Sequence, residues 1–313
     1  MRPERLHQDA RHRITLFRGT GNGRGAIVSF EHGRDRMAGF GPVSAPHFAA
    51  RLGIDALVVQ TARRDWFVSD RSAALAEALA RVTRGYAEVV ASGFSMGGYA
   101  ALLYSAACHA TRVMAVSPQY CIDPEVAPFD PGRHGKFAQI GLPMPRPETQ
   151  GNPDLSGILI YDPTIRADRN HAALIRAGFP RLSPLSLPFG GHPATGVIVT
   201  AGGVGRIAEM VVQDRLDVTA IRQMHRHARR ASKTYRLNLA TAALARHPVR
   251  AIRELRALTT DAPAGTRFQA GVLLLENGDP DAAERLSLLL DEEPDIPPAW
   301  ARRLDRALKA AGI

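Results

Sequence analysis

A serine set between small residues is the strongest chemical signal in the chain. In Gly93-Phe94-Ser95-Met96-Gly97-Gly98 it follows the apolar run Val89-Val90-Ala91 and precedes a helix-like stretch from Tyr99 to Ala107. A sharp strand-to-helix turn of this kind holds the serine in a strained backbone and lifts its hydroxyl off the sheet. It needs small residues two before and two after the serine, so that strand and helix can approach. Gly93 and Gly97 fill those places. The free amides at the start of the helix would then point to where an oxyanion develops, the amide of Met96 first among them. A Gly/Ser-rich loop can meet so short a pattern by chance, but the apolar run before it and the helix after it weigh against that.

The elements that must position this serine follow from hydrophobic pattern. From residue 13 to about residue 192, short apolar runs alternate with helical stretches, which predicts an α/β domain over 13–213 with a mostly parallel sheet covered by helices on both faces. The predicted strands are 14–17, 26–30, 56–60, 88–91, 113–116, 157–161 and 185–187. Gly21-Asn22-Gly23 reads as a hairpin turn between the first two. Predicted helices are 45–52, 71–84 with Ser69 or Asp70 as N-cap, 96–107, 168–177 and 205–213. Residues 123–154, rich in proline and glycine, break the alternation and are expected to form a lid over the site. Residues 1–12 read as a basic tail.

Beyond residue 213 the strands give way to helical periodicity, so 214–313 is expected to be a small all-helical subdomain. Pro248, Ala251, Leu255, Leu258 and Pro263 align with Asp279, Ala282, Leu286, Leu289 and Pro294 at an offset of 31 residues. The second copy, with Gly271, the turn Asn277-Gly278-Asp279-Pro280, Ala283 and Pro294, resembles a tetratricopeptide repeat. The short period, the two copies and the missing large residues depart from that family. The resemblance implies a concave face for a protein partner, and a plain helical subdomain is the alternative.

The serine turn, its order and its spacing resemble the α/β-hydrolase superfamily over roughly residues 13 to 213. In that superfamily nucleophile, acid and histidine follow one another along the chain. The resemblance puts the nucleophile at Ser95. It puts the acid at Asp162, which ends Gly157-Ile158-Leu159-Ile160-Tyr161, and the histidine at His192, after Gly190-Gly191. Asp123 and Asp168 compete as acids, but Asp168 reads as a helix cap and Asp123 as part of the lid entrance. Serine is a weak nucleophile at neutral pH, so His192 would take its proton while a carboxylate fixes the imidazole's tautomer. The oxyanion would be held by the amides of Met96 and Arg34, because His32-Gly33 is similar to the His-Gly pair of many α/β-hydrolases. Glu31 and the lone Gly33 depart from that pattern, and a simple glycine turn is the alternative.

These readings imply a serine hydrolase acting on a small-molecule or glycan ester. A second resemblance is local: Ser95-Met96-Gly97-Gly98-Tyr99 with Ser117-Pro118-Gln119 is similar to the hydrolase-like component of accessory Sec systems. It implies an O-acyltransferase that delivers the acyl group to a glycan hydroxyl. A non-catalytic adaptor working through residues 214–313 is a third reading. His171, His109, His134, His225 and His227 receive no chemistry, and His225 and His227, two apart, would not share a helix face.

Composition narrows the classes further. The net charge of +10 is almost all arginine, since Lys136, Lys233 and Lys309 are the only lysines. No nucleic-acid reader motif accompanies the basic block Arg222 to Arg236, so a solvated helix face is the expectation. Cys108 and Cys121 suggest neither a disulfide framework nor a metal site, and no cofactor is expected. A charged start without an apolar stretch and the lack of any membrane-length run point to a cytoplasmic protein.

Overall fold

The computed structural model describes every residue except Met1, Asn22, Asp35, Arg36, Thr200, Pro294 and Ile313. Contacts divide the chain into two units, one of residues 1–188 and 192–225 and the other of residues 189–191 and 226–313.

The first unit is built on an eight-stranded sheet: β1 (Pro3–Gln8), β2 (His12–Phe17), β3 (Gly25–Phe30), β4 (Asp55–Thr61), β5 (Glu88–Phe94), β6 (Arg112–Val116), β7 (Ser156–Tyr161) and β8 (Leu182–Ser186). Their order across the sheet is β1-β2-β4-β3-β5-β6-β7-β8. The β1–β2 and β2–β4 pairs are antiparallel and the rest parallel, as in β3 against β5 and β6 against β7. This is the α/β class, a mostly parallel sheet with helices, that the alternation of apolar runs and helical stretches implied.

Both faces of the sheet are buried, which is why its strands read as near-continuous apolar runs. Val28, Val89, Ala91, Val113, Ala115 and Leu159 belong to the main core cluster, together with residues of α2 (Ser72–Thr83), α3 (Met96–Leu103) and α6 (Arg166–Gly178). The alternate positions Ile27, Val90, Met114, Ile158 and Ile160 are equally buried. On that second face α7 (Gly203–Val212) packs on β6 and on α1 (His47–Leu52).

Several expectations are corrected. The segment read as a basic tail is strand β1, an exposed edge joined to β2 through Asp9, whose carboxylate accepts the amides of Arg11 and His12 at 2.7 Å each. The proposed hairpin around Gly21 and Gly23 does not form, because β4 lies between β2 and β3; Asn22 of that turn lies outside the described residues. Residues 123–154, the expected lid, contain helices where none was expected, α4 (Pro131–Ile140) and α5 (Pro147–Gln150). Helix α3 stops at Leu103, and Arg71, not Ser69 or Asp70, is the N-cap of α2.

In the second unit, α9 (Lys233–Ala243), α10 (Pro248–Leu258), α11 (Ala264–Glu276), α12 (Ala282–Glu292) and α13 (Pro298–Ala311) share an apolar core. The boundary between units falls inside α8 (Val218–Ala228), beyond the expected residue 213. Ala251, Leu255 and Leu258 of α10 and their 31-residue counterparts Ala282, Leu286 and Leu289 of α12 are all buried. Pro248 opens α10, whereas its counterpart Asp279 lies in the turn before α12, so the two helices do not begin in step. Pro294 of the suggested repeat is outside the described residues. Among the described residues no helix is long and apolar enough to cross a membrane.

Candidate active site

Ser95 sits between β5 and α3 with φ 51° and ψ −118°, a strained backbone for a residue with a side chain. Two close approaches keep it there. A Cβ on Gly93 would lie 2.1 Å from the Gly97 carbonyl oxygen, and one on Gly97 would lie 2.3 Å from the Phe30 carbonyl oxygen. The spacing of small residues therefore records the contact of α3 with its own strand and with the end of β3.

The hydroxyl of Ser95 lies 2.9 Å from Nε2 of His192. On the other side of the ring, Nδ1 meets the two carboxylate oxygens of Asp168 at 2.9 and 3.2 Å. A carboxylate facing Nδ1 fixes the tautomer: the proton stays on Nδ1 and the Nε2 lone pair faces the serine. Asp168 is buried in the first turn of α6, while the imidazole is about a quarter exposed (24%).

Asp162, the expected acid, is buried just after β7, and the carboxylate that meets Nδ1 of His192 is that of Asp168. The Asp162 carboxylate accepts the amide of Thr164 at 2.9 Å and its hydroxyl at 2.6 Å, a turn that redirects the chain after β7 and Pro163. That turn carries the chain into α6, and the helix's first turn brings Asp168 to the histidine instead. Asp123, the other alternative, accepts the amide of Glu125.

The residues after β6 hold the parts together. The amide of Ser95 donates to the Val116 carbonyl at 2.9 Å, and the Ser117 hydroxyl accepts the amide of Ala194, two residues past His192, at 3.0 Å. Gln119, buried, lies against Ser95 itself. Its Oε1 accepts the indole N–H of Trp66 at 2.9 Å. Because indole is only a donor, this contact fixes the amide's orientation and directs Nε2 to the Ser117 carbonyl (3.3 Å) and the Ser95 hydroxyl (3.2 Å). Trp66 and Phe67 have φ of 54° and 60°, a second strained pair whose geometry delivers the indole to Gln119.

Arg34 also lies close to the end of β3, with its guanidinium paired to Glu31 at 3.0 Å. The Gly97 approach to the carbonyls of Phe30 and Glu31 runs its loop beside the first turn of α3.

Sequence reasoning did not find Gln119's contact or Arg133. Arg133, in α4, places Nη2 3.1 Å from Nε2 of His192 and donates from Nη1 to both oxygens of Asp130 at 2.9 Å. Asp130 also accepts from Nε2 of the buried His171 at 3.0 Å, and His171 Nδ1 accepts the Tyr120 amide. Burial holds His171 below the usual histidine range despite the attraction of Asp130. Burial works against ionisation of Asp130, but His171 and Arg133 prevail and keep its carboxyl below the usual range. Separately, a cavity of about 910 Å³ lies along Arg11, Arg63, Arg64, Asp65 and Lys136, with Ser95 not among its lining residues. Among the described residues no group of three or more His, Cys, Asp or Glu side chains is placed to hold a metal ion.

No protein-family profile and no curated protein matches this sequence. Solved structures do resemble the fold. Est1E from Butyrivibrio proteoclasticus is 14% identical with TM-score 0.46, over 67% of this chain and 98% of that one. The capsule O-acetyltransferase of Neisseria meningitidis serogroup A is 10% identical with TM-score 0.44, over 66% and 93%. An esterase of Pyrococcus furiosus is 14% identical with TM-score 0.42, over 66% and 88%.

Proposed function

We propose that this protein is a serine hydrolase that cleaves an ester through an acyl-enzyme on Ser95, with His192 as base and Asp168 as the carboxylate that orients it. The observation that carries the reading is the unbroken line Asp168, His192, Ser95, joined at 2.9 Å at each step. A strained serine facing an imidazole that is backed by a buried carboxylate has no evident use in packing.

In the first half-reaction Ser95 Oγ bonds to the carbonyl carbon as its proton passes to His192 Nε2. Collapse of the tetrahedral intermediate breaks the bond to the alcohol oxygen, which takes the proton from Nε2. Water then attacks the acyl-serine, gives its proton to Nε2, and releases the acid as the proton returns to Ser95. Asp168 stabilises the imidazolium without being protonated itself. The amides of Met96 and Arg34 are the proposed oxyanion donors, and the Gln119 amide steadies Oγ.

The test uses a short 4-nitrophenyl ester. The wild type should give an initial burst of nitrophenol with the acyl group on the peptide that contains Ser95, detectable by mass spectrometry. Added glycan separates transfer to water from transfer to a sugar hydroxyl. A wild type that turns over the ester without acylating Ser95 discards the reading.

The helical unit supports a second role, in protein binding. A groove of about 530 Å³ there is lined by Arg229, Arg230, Arg236, Arg250 and Arg253, with Glu254 as its acidic member, and fits an acidic partner surface. Charge reversal at Arg250 and Arg253 should abolish capture of such a partner by the full chain; unchanged capture would remove the groove from that role.

A further inference from the structure

One cation touches the histidine without a part in the ester chemistry. Arg133 stands in the first turn of α4, its side chain largely buried, with Nη2 3.1 Å from His192 Nε2. An imidazole nitrogen offers one in-plane lone pair, and here the Ser95 hydroxyl (2.9 Å) and the guanidinium both reach for it. A guanidinium so placed competes with the serine, and it opposes the positive charge that His192 acquires on taking the serine's proton. Productive chemistry is favoured when something else occupies the Arg133 hydrogens.

The guanidinium's own bonding says what that is. Nη1 is committed to both oxygens of Asp130, which His171 holds from the other side. Nε is buried and has no hydrogen-bond partner among the described residues. A buried N–H needs an acceptor, and at the edge of the site a ligand atom can supply it. The Nε and Nη2 hydrogens of a guanidinium form one edge, spaced to meet the two oxygens of a carboxylate. On that edge one donor is vacant and the other is lent to His192.

We propose that Arg133 is the specificity-determining residue of the site and binds a carboxylate on the alcohol half of the substrate ester. The assignment to the alcohol half rests on the proposed serine mechanism. His192 Nε2 returns its proton to the departing oxygen, so that oxygen lies beside Nε2, on the side where Arg133 stands. Binding of the carboxylate draws Nη2 from the imidazole, leaves the lone pair to Ser95, and neutralises the cation facing the base. The substrate class is an acyl ester of a hydroxy acid, an acidic sugar included.

The test compares 3-acetoxybenzoate with 3-acetoxybenzamide, which share an acyl group and differ in the charge of the alcohol half. The wild type should favour the benzoate in kcat/KM by at least about tenfold. Arg133→Gln should bring the ratio to within about twofold of one, mainly by raising KM for the benzoate, and Arg133→Lys should keep part of the preference. A ratio unchanged in Arg133→Gln, or no preference in the wild type, overturns the inference while fluorophosphonate labelling of Ser95 leaves the hydrolase reading standing. Failure of the wild type to label at Ser95 removes both.

Discussion

Asp168 meets His192 at 2.9 Å and Asp130 meets His171 at 3.0 Å, yet the two pairs have different surroundings. His171 is tied at both ring nitrogens, by Asp130 and by the Tyr120 amide, and is 1% exposed. Nothing from outside can reach it. His192 keeps one nitrogen turned to the Ser95 hydroxyl, and its ring remains partly open. A histidine and a carboxylate at bonding distance are therefore not enough to define a catalytic pair. Access and a nitrogen turned to a serine hydroxyl separate the proton carrier proposed at His192 from the structural strut at His171.

Replacing members of each pair should expose the difference. Ser95→Ala and His192→Ala should each lower kcat of ester hydrolysis by at least about a thousandfold with the folded spectrum unchanged. Asp168→Asn keeps the shape but upsets the tautomer, and should cost about a thousandfold or more in kcat. Gln119→Ala, which frees the serine hydroxyl from one donor, should cost about tenfold in kcat, read against an unchanged fluorescence melting curve. His171→Asn should act on stability instead. It removes a buried hydrogen bond at each ring nitrogen and should cost about 1–3 kcal/mol in urea denaturation, with a small effect on kcat.

Acid should sharpen the contrast further. Burial pushes His171 below its ordinary value, and His12, fully buried, down to about 4. Above pH 6.5 both are neutral, folded or unfolded, and add no pH dependence. As pH falls below 6.5 the unfolded chain binds the protons first, so stability is lost progressively until each folded value is reached. For His12 the loss between pH 6.5 and 4 amounts to about 3 kcal/mol. His171→Asn and His12→Phe should each flatten the slope of unfolding free energy against pH in that window; an unchanged slope contradicts the assignment.

The sequence carried the sheet better than the site. Strands β2 to β7 are visible because burial on both faces makes them apolar, whereas the expected strand 185–187 meets only the end of β8, an edge strand with Leu182 and Leu185 alone buried. Gly93 and Gly97 mark the turn because steric contact permits nothing larger. Strand β1 escaped because it is a charged, exposed edge, fixed by pairing with β2 and not by its own pattern. The hairpin read at Gly21 and Gly23 failed because glycine signals a bend without naming which strand the chain pairs with next. Asp162 and Asp168 are six residues apart, and local pattern favours the one at the strand's end. Only the path of the chain through Pro163 and Thr164 turns the other toward His192. Gln119 and Arg133 reach the site through contacts 24 and 59 residues apart in sequence, which no local pattern encodes.

The most direct test of the central claim is the rate at which a fluorophosphonate labels Ser95 in three proteins: wild type, Asp168→Asn and Asp162→Asn. Labelling should collapse in Asp168→Asn and stay within about tenfold of wild type in Asp162→Asn. The reverse order, or equal rates in all three, would contradict the assignment of Asp168 to His192.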